Sequence, residues 1–173
     1  EPANDLWGID GGDGWTVSFS ATWEANETWP TMVFADYIDL ATVDNERTCA
    51  SHVLYRPGGD GYSEPTPLEP GYCTLSALFS DWDRSGRRDL RLTNDRHYYR
   101  DGSEQLWRIE PGAEPRLYTE ADGWRSLQIW GMGIAAYDLD FDGYPEYFLT
   151  NMADNRLQAL AAKPGNGAPV PSY

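Results

Sequence analysis

The feature that most constrains this chain is a nine-residue acidic loop that occurs twice. Asp138-Leu139-Asp140-Phe141-Asp142-Gly143-Tyr144-Pro145-Glu146 sets carboxylates at positions one, three, five and nine, with glycine at six. Asp81-Trp82-Asp83-Arg84-Ser85-Gly86-Arg87-Arg88-Asp89 follows the same plan, with Ser85 at position five. The flanks stay in register. SALFSDWDRSGRRDLRLTN (76–94) lies over GIAAYDLDFDGYPEYFLTN (133–151), and both end in Leu-Thr-Asn. One such loop arises easily in an acidic chain, but two with shared flanks are an internal repeat. A repeat of this size points to a propeller, a solenoid or an array.

Four carboxylates in nine residues repel one another and raise each other's pKa values. A hard divalent cation relieves that repulsion, and calcium takes six to eight oxygen ligands at once. Successive side chains of an extended backbone point to opposite sides, so alternate residues face one centre. Asp138, Asp140 and Asp142 are therefore expected to face an ion together. Gly143 permits the sharp turn, the Tyr144 carbonyl turns inward, and Glu146 closes the shell. The equivalents in the other loop are Asp81, Asp83, Ser85, the Arg87 carbonyl and Asp89, with Ser85 weakening that site. An EF-hand is excluded, because its bidentate acid belongs at position twelve, which here is Leu149. GMGIAAY before the loop and YFLTN after it read as strands. Magnesium demands octahedral geometry and retains its waters. Zinc selects Cys and His, and neither is nearby.

The bland alternative is a solvated acidic turn without metal. A catalytic alternative is weaker: an aspartyl phosphotransferase loop should lead into a helix, and YFLTN is strand-like. Paired carboxylates hydrolyse glycosides, yet acids held on calcium are poor proton carriers. The chain is expected not to be an enzyme. A third, decayed copy is read at Met32-Val33-Phe34-Ala35-Asp36-Tyr37-Ile38-Asp39-Leu40, where Ile38 takes the place of the second ligand and no glycine follows. His52-Val53-Leu54-Tyr55-Arg56 with PGGDG, Glu104-Gln105-Leu106-Trp107-Arg108, and Asn155 to Leu160 with KPGNG read as the next strand and its hairpin turn. GGDGWTVSFSATW reads as the tail of a preceding unit.

An apolar strand, D-x-D-x-[DS]-G-x-x-[DE], a strand ending in Leu-Thr-Asn and a later strand with a GDG turn together resemble the FG-GAP/VCBS repeat. That repeat builds integrin-α-like β-propellers, and the chain looks most like the secreted bacterial ASPIC/UnbV (CRTAC-like) proteins. The resemblance covers roughly residues 11 to 165. It implies an all-β fold of four-stranded antiparallel blades, a calcium loop between the first two strands of a blade, and a binding or adhesion role. The expected organisation is a propeller segment of about three blades over residues 1–165 and a tail over 166–173. A closed propeller needs four to eight blades. The chain is thus expected to be part of a longer propeller, or a subunit completed by copies of itself or by another protein.

With 28 acidic against 13 basic residues the formal charge is −15, which disfavours nucleic acid and anionic membranes as partners. No apolar run is long enough to span a bilayer. Cys49 and Cys73 flank a proline-rich excursion. In an oxidising compartment they close it as a disulfide; the alternative is two buried free thiols. Calcium and the disulfide both point to an extracellular or periplasmic location. The 8 Trp and 11 Tyr are expected to fill the spaces between sheets, Trp107, Trp124 and Trp130 among them. Trp23, Trp29 and Trp82 are the candidates for an exposed carbohydrate-binding surface, the rival function. His52 and His97 form no metalloprotease motif.

Overall fold

The computed structural model describes residues 7–9, 14–40, 49–95, 102–161 and 170–173. They form three consecutive antiparallel sheets. The first contains β1 (Gly14–Thr22), β2 (Thr31–Asp39), β3 (His52–Tyr55) and β6 (Thr66–Leu68) in that spatial order. A two-stranded hairpin, β4 (Pro57–Gly58) and β5 (Gly61–Tyr62), projects between β3 and β6. The second sheet is a meander of β7 (Thr74–Ser80), β8 (Asp89–Asn94), β9 (Gln105–Arg108) and β10 (Arg116–Leu117). The third contains β11 (Gly131–Tyr137), β12 (Glu146–Asn151) and β13 (Arg156–Gln158). The fold is all-β, and none of the sheets closes on itself.

The two acidic loops join matching hairpins. β7 and β8 pair from Thr74↔Asn94 to Ser80↔Asp89, with an irregularity between Thr74 and Ser76. β11 and β12 pair from Gly131↔Asn151 to Tyr137↔Glu146, with the irregularity between Gly131 and Gly133. The correspondence seen along the sequence is therefore a correspondence of register, bulge and loop.

Alternation along these strands feeds two hydrophobic layers. Val33, Ala35, Leu54 and Leu68 of the first sheet meet Ala77, Phe79, Leu90, Leu92 and Trp107 of the second. On the other face of the second sheet, Trp82, Leu106, Tyr118 and Trp124 meet Tyr147 and Leu149 of the third. Every residue of the central β8 is buried, with Leu90 and Leu92 on one face and the polar side chains of Asp89, Arg91 and Thr93 on the other. β7 lies beside both β1 and β11. The outward-pointing amides of Ala77 and Phe79 on β7 donate to the Ser18 and Ser20 hydroxyls of β1 at 3.0 and 3.2 Å.

Among the described residues, the outer faces of the two end sheets expose apolar side chains, although Ile9 and Tyr62 pack over part of the first. Trp15, Val17 and Phe19 alternate along β1 and are exposed, Trp15 by 53%. Phe19, Phe34, Tyr55 and Tyr62 form a row of edge-to-face contacts at 5.3, 5.5 and 6.4 Å across this face. The third sheet exposes Phe148 and Leu157.

Cys49 and Cys73 are joined in a disulfide. Cys49 bridges Ile38 at the end of β2, and Cys73 immediately precedes β7, so the bond ties the first sheet to the second. Several expectations need correction. Segment 11–23 is not the tail of a preceding unit: its described part is β1, the first strand of the first sheet. Asp36 lies inside β2 opposite Thr16, not in a degenerate loop. Residues 23–30 join the first two strands there. An apolar run ending in Asp fits either arm of a hairpin, and the motif alone did not say which. Trp107 and Trp124 are interior as expected, whereas Trp130 is exposed. Trp23 and Trp29 are exposed, but Trp82 is 2% exposed and no sugar could stack on it. The third sheet has three strands among the described residues, not four. His97 and the turn at 163–167 lie outside the described residues.

Candidate metal centre

The 138–146 loop hangs between β11 and β12 and is shaped by its own carboxylates. Asp138 Oδ1 accepts the Asp142 amide at 3.0 Å and Oδ2 the Gly143 amide at 2.9 Å. Asp140 Oδ1 accepts the Asp142 amide at 3.3 Å, and Asp142 Oδ1 accepts the Tyr144 amide at 2.9 Å. Glu146, buried at the start of β12, reaches back to the Leu139 amide at 2.7 Å. Phe141 (φ 61°) and Gly143 (φ 90°) adopt left-handed backbone, which turns the chain tightly enough for alternate side chains to converge. One carboxylate oxygen each from Asp138, Asp140 and Glu146 lies within 4.8 Å of the others. Three acids so close could hold an oxygen-preferring divalent cation. Asp142 is directed to the Tyr144 amide, and the Tyr144 carbonyl is the remaining donor expected from the sequence.

The 81–89 loop repeats the backbone. Arg84 (φ 60°) and Gly86 (φ 81°) occupy the left-handed positions. Gly86 N donates to Asp81 Oδ2 at 3.0 Å, Ser85 N to Asp83 Oδ1 at 3.1 Å, and Arg87 N to Ser85 Oγ at 3.3 Å. The side chains differ. Arg87 folds back over the loop, its Nη2 3.2 Å from Asp83 Oδ2 and its Nε 3.0 Å from Asp89 Oδ1. Asp89 also accepts from the Trp82 indole at 2.7 Å, the Tyr118 hydroxyl at 2.9 Å and the Ile109 amide at 3.1 Å. Burial and the Asp89 carboxylate together hold the Tyr118 hydroxyl well above its ordinary pKa. Among the described residues, the acids of this loop do not converge as Asp138, Asp140 and Glu146 do.

The loops also touch. Arg84 reaches from one to the other, donating to the Asp142 carbonyl at 3.3 Å and lying 5.2 Å over the Tyr144 ring. Sequence reading placed the ligands by position but missed the side chains of Arg84 and Arg87. The signal was present, since an arginine inside an acidic loop is itself a cation.

Asp36, His52, Glu104 and Arg91 are buried polar groups outside the two loops. Asp36 accepts from Thr16, and burial raises its pKa. Its amide donates to His52 Nδ1 at 3.2 Å, and burial pushes His52 down to about 4. Glu104, buried beneath the Asn94 amide that it accepts at 2.9 Å, is pushed up to about 8 by burial. Arg91 is 1% exposed and lies over the rings of Tyr147, Tyr173 and Trp124 at 4.2, 5.0 and 5.4 Å. No protein-family model matches the chain, and no curated protein matches it in sequence.

Proposed function

We propose that this chain is a calcium-stabilised, non-catalytic β-propeller module of the FG-GAP/VCBS type that works outside the cytoplasm by binding other protein surfaces. The observation that carries the reading is the convergence of Asp138, Asp140 and Glu146 in a loop with left-handed turns at Phe141 and Gly143. Calcium in this loop is structural: it neutralises the acids and fixes the turn that joins β11 to β12. The Cys49–Cys73 disulfide supports an extracellular or periplasmic location. Among the described residues no helix is long and apolar enough to cross a membrane.

The assembly role rests on exposed apolar side chains. Each interior joint packs one sheet's apolar face on its neighbour's, and among the described residues the Trp15–Phe19 and Phe148–Leu157 side chains are exposed on the outer faces of the end sheets. Large contiguous apolar surface marks a binding site, and further blades or another protein subunit would cover it. The carbohydrate-binding alternative loses Trp82 as a platform and is left with Trp23 and Trp29.

The test is a calorimetric calcium titration of chelator-stripped protein, with thermal melts at both ends. Binding that raises the melting temperature and is lost in Asp140→Asn supports the reading. Heat without saturation and an unchanged melt would refute it.

A further inference from the structure

The two acidic loops share a backbone but not a way of managing charge. We propose that in the 81–89 loop the Arg87 guanidinium takes the place of a metal ion, so that of the two loops only 138–146 has a shell open to calcium. The inference rests on the calcium reading above for the second half of the statement, and on geometry alone for the first.

Position seven separates the loops. In 138–146 it is Tyr144, whose ring lies beneath Arg84. In 81–89 it is Arg87, whose side chain returns to position three and reaches position nine, pairing with Asp83 and Asp89. A guanidinium delivers several donors in a fixed plane and does not lose its proton. It therefore satisfies two carboxylates at once without a ligand being captured from solution.

Position nine completes the division. Glu146 has one more methylene than Asp89 and bends back into its loop to the position-two amide. Asp89 stays at the strand mouth, where the Trp82 indole, the Tyr118 hydroxyl, the Ile109 amide and Arg87 all claim it. A carboxylate with four donors has its lone pairs committed, and a calcium ion would have to displace them. Ser85 at position five also brings no charge. Asp81 Oδ1 lies buried without a hydrogen-bond partner, but Asp83 and Asp89 are held by Arg87 and among the described residues the acids of this loop do not converge as Asp138, Asp140 and Glu146 do, so the 81–89 loop fits a guanidinium better than calcium.

The experiment counts calcium equivalents on the unmutated chain and compares melting temperatures of the unmutated chain and Arg87→Gln in excess chelator. The expected results are one equivalent, and a lower melting temperature for Arg87→Gln without any metal present, because Asp83 and Asp89 have lost their cation. Arg88→Gln, which leaves those pairs intact, serves as the charge-matched control and should melt above Arg87→Gln. Two equivalents on the unmutated chain would overturn the proposal while leaving the calcium reading intact. Equal melting temperatures for Arg87→Gln and Arg88→Gln would overturn it as well. No calcium bound would refute the calcium reading alone, and the chelator melts would still decide the role of Arg87.

Discussion

Replacing both Cys49 and Cys73 with alanine tests the joint between the first and second sheets. The bridge spans 24 residues, and the stretch it encloses carries β3 to β6. In the chain-entropy treatment, closing a loop of this length removes about 3 kcal/mol of unfolded-state freedom. Alanine introduces no buried hydroxyl at position 73, whose cysteine is nearly inaccessible. For a chain of this size, 1 kcal/mol shifts the melting temperature by roughly 2–4 °C, so a fall of about 6–12 °C is expected. Differential scanning calorimetry in chelator isolates the bond from any effect of metal. Free-thiol titration of the unmutated chain should find no reactive sulfhydryl. A double variant melting within about 2 °C of the parent would refute the reasoning, because the enclosed strands would then be held as well without the bond.

Other predictions follow from buried groups. His52 is depressed to about 4 against about 6.5 unfolded, so its contribution is fully present above pH 6.5 and is lost as pH falls towards 4. Urea titrations should show a loss of roughly 3 kcal/mol over that window, absent in His52→Gln. Glu104 runs the other way: raised from 4.5 to about 8, it costs stability as pH rises through that range. Glu104→Gln should therefore be more stable than the parent at pH 8 and close to it at pH 4, by the same titrations. At Gly143, φ is 90° and an added Cβ would lie 2.7 Å from the Arg84 guanidine group. Gly143→Ala should cost more than about 1 kcal/mol, read as a lowered melting temperature.

The parts of the molecule that were legible in the sequence are those fixed by local spacing. Two matched acidic loops, strands on either side of them, the pairing of Cys49 with Cys73 and the interior places of Trp107 and Trp124 all follow from period, turn chemistry and size. What escaped depends on contacts between distant residues. Asp36 belongs to a strand because Thr16 and His52 meet it there, and nothing in MVFADYIDL names those partners. Trp82 is buried because Tyr118 stands 5.9 Å away, edge to face, and Asp89 takes its indole hydrogen. The positional motif for a calcium ligand likewise says nothing of where a long side chain at position seven will fold. That choice was settled by Arg87 finding two acids within reach.

The hydroxyls of Ser18 and Ser20 bear on how the molecule avoids misassembly. β7 is an edge strand of its sheet, and an edge with free amides is a template on which a foreign strand can grow. Here the amides of Ala77 and Phe79 are already engaged by side-chain oxygens, which bond them without offering a continuing ladder. β1 and β7 can thus lie side by side and still belong to separate sheets. Replacing both serines with alanine would remove the two acceptors and leave the Ala77 and Phe79 amides facing β1 without these bonds.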